Sequence, residues 1–425
     1  MSSRKLKILQ VTDLYKPFIG GMEQHVETLS HGLTQRGHEV IVATAQLPDT
    51  PDDEIVDGFR IRRIAGWSGR ALAGLYERAE APFHPPVPDP GVVAELKRII
   101  DEARPDVVHA QGWITYSCLA IALHRRFRLV VTLHDYGFVC GRKTLMRNGH
   151  KACSGPRLDA CLRCAPGQYG TMKGTALTVG LRVARPLHHR VDSWVANSQF
   201  VADASRCALP RGCVISVIPP ASPQPPPLGQ RPSWLPVEGY LLFVGTLGRH
   251  KGLNWLLDAY EGGGISRPLV VVGTSRRDTP RTWPAGVVAR IDVPHNQVIE
   301  AWRHAGIGLV PSLWPEPFGL VAVEAMRSGV PVIASRIGAL PGIVADGITG
   351  LLVEPGNTTE LRKAIRRLAD DPALRRAMGA AGPLQAEQFS AETVTSLYEQ
   401  HYRRLLAGQP EAGLGSAGPA GKGMR

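Results

Sequence analysis

Long hydrophobic runs are missing from this chain. Among its 425 residues no apolar stretch approaches the roughly 18 needed to cross a bilayer, which argues against a membrane-spanning helix. A secretory leader is not expected either. The opening MSSRKLKILQVTD is basic, but Leu6–Val11 is too short and too broken for a leader's apolar core. It reads instead as a first core strand, and a cytoplasmic protein is expected. Cysteines number seven, an odd count spread over a long chain, which argues against a disulfide scaffold. There is no Gly-aromatic RNA-binding box, so the formal charge of +12 is not read as a nucleic-acid surface. It leaves phosphorylated substrates, or peripheral contact with the cytoplasmic face of an anionic membrane, as partners. The densest basic patch, Arg182–Arg190, reads as a solvated helix face rather than a lipid site. No GxGxxG is present, which lowers the case for a dinucleotide cofactor. No DxD-like acidic pair suits a catalytic Mg²⁺, and no pair of acids resembles that of a glycosidase.

What is present is alternation. Strand-like runs lie at Lys7–Val11, Glu39–Ala43, Asp106–His109, Leu129–Leu133 and Val214–Ile218. They resume at Tyr240–Val244, Leu269–Val272, Gly306–Val310 and Val330–Ala334. Helical patterns fall between them, as at Glu23–Arg36, Val92–Ala103 and Asn254–Tyr260. Non-alternating apolar strands separated by helices predict parallel sheets with βαβ crossovers. The break falls at 219–236, PPASPQPPPLGQRPSWLP, whose proline density fits neither helix nor sheet. The expected fold is α/β: two doubly wound Rossmann-like domains, residues 1–218 and 237–389, facing each other across a cleft. The segment 390–407 is expected to brace the pair as a helix. The Gly/Ala/Pro-rich tail 408–425 is expected to be disordered. A second proline-rich stretch, Ala81–Pro90, reads as a surface loop.

The most informative segment is Glu316-Pro-Phe-Gly-Leu-Val-Ala-Val-Glu324. It follows an apolar strand and opens a helix, so its Gly-containing turn lies where unpaired N–H groups and the helix dipole favour an anion. Carboxylates on either side of an anion site make sense if they face hydroxyls. A nucleotide-sugar supplies hydroxyls at both ends and phosphate between them. A surface loop with two solvated acids is the alternative. Gly245–Gly252 (GTLGRHKG) is a second Gly-rich turn after a strand, and its cations suit a diphosphate, although a solvated turn looks similar. Gly20-Gly21-Met22-Glu23 follows the first strand, where glycines let backbone approach a ligand. His134 and Asp135 end one buried strand and His109 ends another, so all three face the expected cleft. Structural histidines are common at such places. Cys161-x-x-Cys164, with Cys140 and Cys153 nearby, has thiolate spacing for a structural Zn²⁺. Disulfide or redox pairs and free thiols are the other readings.

Together these residues resemble the retaining glycosyltransferases of family 4, with the GT-B fold. EPFGLVAVEAMRSGVPVIAS and GITGLLVEPGN carry most of the weight. GHEVIVAT, DVVHA, VANSQFVAD and HKGLNWLLDAY agree, and the match runs from Gly20 to about Gly356. The resemblance implies transfer of a hexose from a nucleoside diphosphate, uridine favoured over guanosine, to an acceptor hydroxyl. The acceptor would be a polysaccharide or lipid-linked precursor, or a small natural product. It implies that Glu316 holds donor-sugar hydroxyls, that the backbone of Phe318, Gly319 and Leu320 approaches sugar and phosphate, and that Glu324 holds the ribose. Lys251 would neutralise the diphosphate, Gly21 would approach it from the opposite domain, and His134 would lie near the transferred sugar. No catalytic metal is implied. Two positions depart from the pattern. Thr246 stands where an arginine is usual, so Arg249 is expected to supply that charge. Gln111 stands where a second histidine is frequent. A sugar-nucleotide epimerase or phosphorylase of the same fold would need acid/base groups at the sugar ring, and a non-catalytic nucleotide- or membrane-binding module would bind without turnover.

Overall fold

The computed structural model describes residues 4–18, 20–67, 84–122, 127–149, 151–223, 227–237, 239–276 and 278–409. Of the expectations above, the tail beyond residue 409 and residues 81–83 of the second proline-rich stretch lie outside the described residues.

The first half is an eight-stranded sheet. Its strands are β1 (Lys7–Thr12), β2 (Glu39–Ala45), β3 (Asp53–Val56), β4 (Phe59–Ile64), β5 (Val107–Gln111), β6 (Arg128–Leu133), β9 (Ser193–Ala196) and β10 (Ile215–Val217). Between β6 and β9 lies a small hairpin of β7 (Met146–Arg147) and β8 (Lys151–Ala152). The sheet order is β10-β9-β6-β5-β1-β2-β4-β3, and only the β3–β4 pair is antiparallel. The second half is a six-stranded, all-parallel sheet in the order β13-β12-β11-β14-β15-β16. These strands are β11 (Tyr240–Val244), β12 (Leu269–Gly273), β13 (Val287–Ile291), β14 (Ala305–Val310), β15 (Val332–Ser335) and β16 (Gly350–Val353).

Burial explains the apolar runs. Every residue of β5, and all of β1 and β6 but the first, is buried, as helices on both faces require. Two core clusters flank each sheet. On one side of the first sheet, Ile8, Val26, Leu29 and Val130 pack with Val394, Tyr398 and Tyr402. Those last three belong to the helix Ala391–Leu406, which is thus anchored on the opposite half from the sheet preceding it.

Three helices concern the site. The first, α1 (Gly21–Gln35), follows β1. The second, α2 (Leu320–Arg327), follows β14. The third, α3 (Ala391–Leu406), starts at Ser390, whose hydroxyl accepts the Thr393 N–H at 3.2 Å. The proline-rich segment runs between the halves and is tied to this region. Ser222 N–H donates to the Phe389 carbonyl at 2.9 Å.

Candidate active site

The carboxyl ends of both sheets face one cleft of about 460 Å³. The first half contributes Gly21, Glu23, Trp113, His134, Asp135, Lys143 and Asn197. The second contributes Lys251, Ser312, Trp314, Glu316 and the run Pro317–Val321. The halves also touch directly. Tyr136 Oη donates to the Pro315 carbonyl at 2.9 Å, and Ser198 Oγ donates to the Pro317 carbonyl at 2.6 Å.

Glu316 lies on the floor of the second half, 4 % exposed. Its Oε1 meets Lys251 Nζ at 2.7 Å and the Ser312 hydroxyl. Burial alone pushes its carboxyl up. Lys251 and Ser312 outweigh that and hold it below the usual carboxylate range. The Trp314 indole N–H is a further donor on the Glu316 side that helps hold its carboxyl down, and Lys251 Nζ lies 5.2 Å from the centre of that ring. The turn Phe318-Gly319 then opens α2. Gly319 has φ 120°, a left-handed conformation, and a Cβ there would come within 2.7 Å of Leu340 Cδ2. This position requires glycine, and it leaves the first N–H groups of α2 facing the cleft. Across the gap a Cβ on Gly21 would sit 3.2 Å from Leu320 Cδ1. The glycine keeps the two helix starts close together.

Glu324 lies one turn into α2, partly buried, outside the residues that line the cleft. Burial raises its carboxyl to about 7. Arg249 also lies outside the lining. It is exposed, and its backbone N–H donates to Asp278 at 2.8 Å.

In the first half, His134 Nε2 pairs with Gln111 Oε1 at 2.6 Å, and Asn197 Nδ2 donates to the His134 carbonyl at 2.9 Å. Burial drops the imidazole to about 3, so it stays neutral near pH 7. Asp135 Oδ1 accepts the Gly137 N–H at 2.7 Å, and burial raises its carboxyl.

His109 requires a correction. It was expected at the cleft, but it is fully buried beneath it, bonded to Tyr402 Oη and Thr132 Oγ1 at 2.7 Å each. It stands two residues before the end of β5, and α3 covers that face. The strand's last residue, Gln111, is the one that reaches His134.

The cysteines also differ from the tetrahedral expectation. Cys140, Cys153, Cys161 and Cys164 are free thiols, and among the described residues no three His, Cys, Asp or Glu side chains are grouped so that they could hold a metal. The thiols engage backbone instead. Cys140 is surrounded by the N–H groups of Leu145, Arg142 and Thr144, and Cys164 Sγ accepts the Asn148 N–H at 3.2 Å. What this segment delivers to the cleft is Lys143, 4.2 Å from the centre of the Trp113 ring.

Sequence reasoning missed Lys143 and Glu23. Glu23 is 6 % exposed. Burial first, then the nearby Asp13 and Asp135, raise its carboxyl to about 7. It was legible as the fourth residue of GGME, because position three of a helix beginning at a cleft points into it. Lys143 Nζ lies 3.8 Å from Asp13 and 4.0 Å from Asp135. Asp13 in turn accepts the Trp113 and Ile114 N–H groups at 2.9 and 2.6 Å, just before the helix Thr115–Ile121.

Two facing Rossmann-like sheets with a shared cleft define the GT-B fold, and solved structures agree. Sucrose-phosphate synthase from Thermosynechococcus elongatus superposes with a TM-score of 0.70 at 22% identity, covering 96% of this chain and 100% of that one. The Anabaena HepE protein, in complex with UDP and glucose, gives 0.65 at 18%, covering 94% and 99%. Two family models match: Glycosyltransferase Family 4 over residues 19–221 and Glycosyl transferases group 1 over residues 236–385. The chain belongs to this family of glycosyltransferases. Full-length relatives include glycogen synthase of Mycobacterium tuberculosis, 25% identical over 95% of this chain and 96% of the relative. D-inositol 3-phosphate glycosyltransferase of Corynebacterium diphtheriae is 26% identical over 89% of each. Among the described residues no helix is long and apolar enough to cross a membrane.

Proposed function

We propose that the protein moves a hexose, with retention at the anomeric carbon, from a nucleoside diphosphate to an acceptor hydroxyl. The observation that carries this reading is the buried Lys251–Glu316 pair beside the Gly319 turn. Glu316, held ionised, accepts hydrogen bonds from donor-sugar hydroxyls. Lys251 and the backbone N–H groups of Phe318, Gly319 and Leu320, which lead into α2, face the diphosphate, and Gly21 lets α1 approach it from the other side. His134, neutral, meets the sugar from the first half. Glu324 receives the ribose hydroxyls. Because Arg249 is exposed outside the cleft, the diphosphate relies on Lys251 and the helix ends.

The bond from the anomeric carbon to the β-phosphate oxygen breaks, and its electron pair leaves with the diphosphate. The acceptor oxygen bonds to that carbon on the same face, and its proton passes to the departing diphosphate oxygen. Positive charge aimed at that oxygen lowers the barrier as negative charge develops. Uridine is the nucleoside we favour, since neighbours of this fold were solved with UDP or UDP-glucose. For the acceptor, the relatives' names point both to a polysaccharide and to a phosphorylated polyol. Glu23, Asp13 and Asp135 around the single Lys143 give the acceptor half a surplus of carboxyls. That surplus favours a polyhydroxyl acceptor without phosphate, as on a glycan or lipid-linked precursor.

The test is a donor screen. UDP- and GDP-sugars are incubated with the enzyme, alone and with maltose oligomers or inositol 3-phosphate, and free nucleotide and product anomer are followed. Release of nucleoside diphosphate with an α-linked product from an α-linked donor supports the reading. Inverted product, or no donor turnover across the panel, rejects it.

A further inference from the structure

We infer that α3 and Gln111 fix the tautomer of His134, with the proton on Nε2 and Nδ1 left as a bare acceptor. The consequence for catalysis rests on the role given to His134 above; the tautomer itself does not.

A chain of hydrogen bonds links the two. Gln10 Nε2 donates to Tyr402 Oη at 3.5 Å. Gln111 Nε2 donates to Gln10 Oε1 at 3.0 Å, and Gln111 Oε1 faces His134 Nε2 at 2.6 Å. Beyond Tyr402 the chain continues through His109 Nδ1 at 2.7 Å, and from His109 Nε2 to Thr132 Oγ1 at 2.7 Å. Thr132 Oγ1 then meets Tyr398 Oη at 3.2 Å. Gln10, His109, Gln111, Tyr398 and Tyr402 are fully buried.

Such a chain has a direction. An amide offers its donor and its acceptor at opposite ends of one plane, so each glutamine passes the polarity on. With Gln111 Oε1 toward His134, the imidazole must donate from Nε2. The reverse order is also coherent, but only if both amides, Tyr402 and His109 turn together. Turning one member alone sets donor against donor, or acceptor against acceptor, among fully buried groups. Two of the phenols that close the network stand on α3, which begins beyond the second sheet. The seating of that helix on the first half therefore bears on a ring in the cleft. His134 lines the cleft and spends Nε2 on Gln111, so a donor-sugar hydroxyl can donate to Nδ1.

The experiment is two-bond ¹H–¹⁵N correlation on full-length protein with ¹⁵N-labelled histidine near pH 7.5. His134 signals are identified by their loss in His134→Gln. The expected wild-type pattern is the neutral Nε2–H tautomer. The Nδ1–H pattern overturns the inference. Gln111→Leu should convert the signals to mixed tautomers and lower the turnover number for donor hydrolysis about tenfold, the worth of one neutral hydrogen bond, with little change in donor KM. Tyr402→Phe should move the signals toward the mixed pattern, and unchanged signals there disprove control by α3. Should Gln111→Leu not fold, the wild-type and Tyr402→Phe spectra decide. An Nε2–H spectrum in a protein that turns over no donor rejects the proposed activity and leaves this inference standing.

Discussion

At the scale of single residues, two glutamates on either side of one helix start behave in opposite ways. Glu316 is buried against a lysine and stays ionised; Glu324, partly buried and with no cation acting on it among the described residues, rises to about 7. For Glu316 the expected cost of Glu316→Gln is at least ~10² in turnover, since a charged hydrogen bond at the transition state is worth roughly 2–4 kcal/mol. Near-wild-type transfer by a mutant with an unchanged circular dichroism spectrum would remove Glu316 from the mechanism. For Glu324 the sign runs the other way. Its folded pKa is raised, so the folded state keeps a proton that the unfolded chain releases, and the stability this gives is lost as pH rises through about 7. Ribose hydroxyls need an acceptor, which ionised Glu324 supplies better. UDP affinity by calorimetry should therefore climb between pH 6 and 8 in wild type and climb less in Glu324→Gln. Both share the titration of UDP itself, so parallel curves would take Glu324 out of the nucleotide site.

At the scale of elements, the start of α2 shows why a short helix with no side-chain cap can hold a site. Its N-cap is a glycine in a left-handed conformation under Leu340. Gly319→Ala should cost about 1–3 kcal/mol in denaturant unfolding, the usual penalty of a side chain in such a conformation. It should also weaken UDP binding, because the helix start turns away. Full stability and affinity in that variant would mean the turn is not strained. EPFGLVAVE was readable because glycine, helix period and charge coincide within nine residues. Other elements were not. The β3–β4 hairpin was missed although Asp57-Gly58, both at positive φ, is a strong two-residue turn signal. Its strands alternate in burial, so no apolar run announces them. β13 has no fully buried residue and escaped for the same reason. His109 and Gln111 share a strand face, and only the position of α3, some 280 residues away, decides which of them reaches the cleft. CxxC spacing at Cys161 and Cys164 could not tell that backbone N–H groups would take up Cys140 and Cys164.

At the scale of the molecule, the chain crosses between its halves twice. It crosses once near Ser222 and again at Ser390, where the two crossings pair. The second crossing delivers α3, whose Val394, Tyr398 and Tyr402 complete a core belonging to β1, α1 and β6. That core is therefore built from segments far apart in sequence, and its stability depends on a helix that follows the second half. Tyr398 is fully buried, with its ring centre 5.4 Å from His25 and 5.3 Å from His109. Tyr398→Ala should cost about 3–5 kcal/mol, as aromatic truncations in cores do. The loss should fall on one half. Hydrogen exchange should accelerate through β1, α1 and β5 while β11, β14 and β15 keep their protection, since their cores contain no residue of α3. UDP bound mainly through Lys251 and α2 should still protect the second half in this variant. Equal acceleration in both sheets would instead mean that the two halves unfold as one unit, with α3 acting as a shared strut rather than as part of the first core.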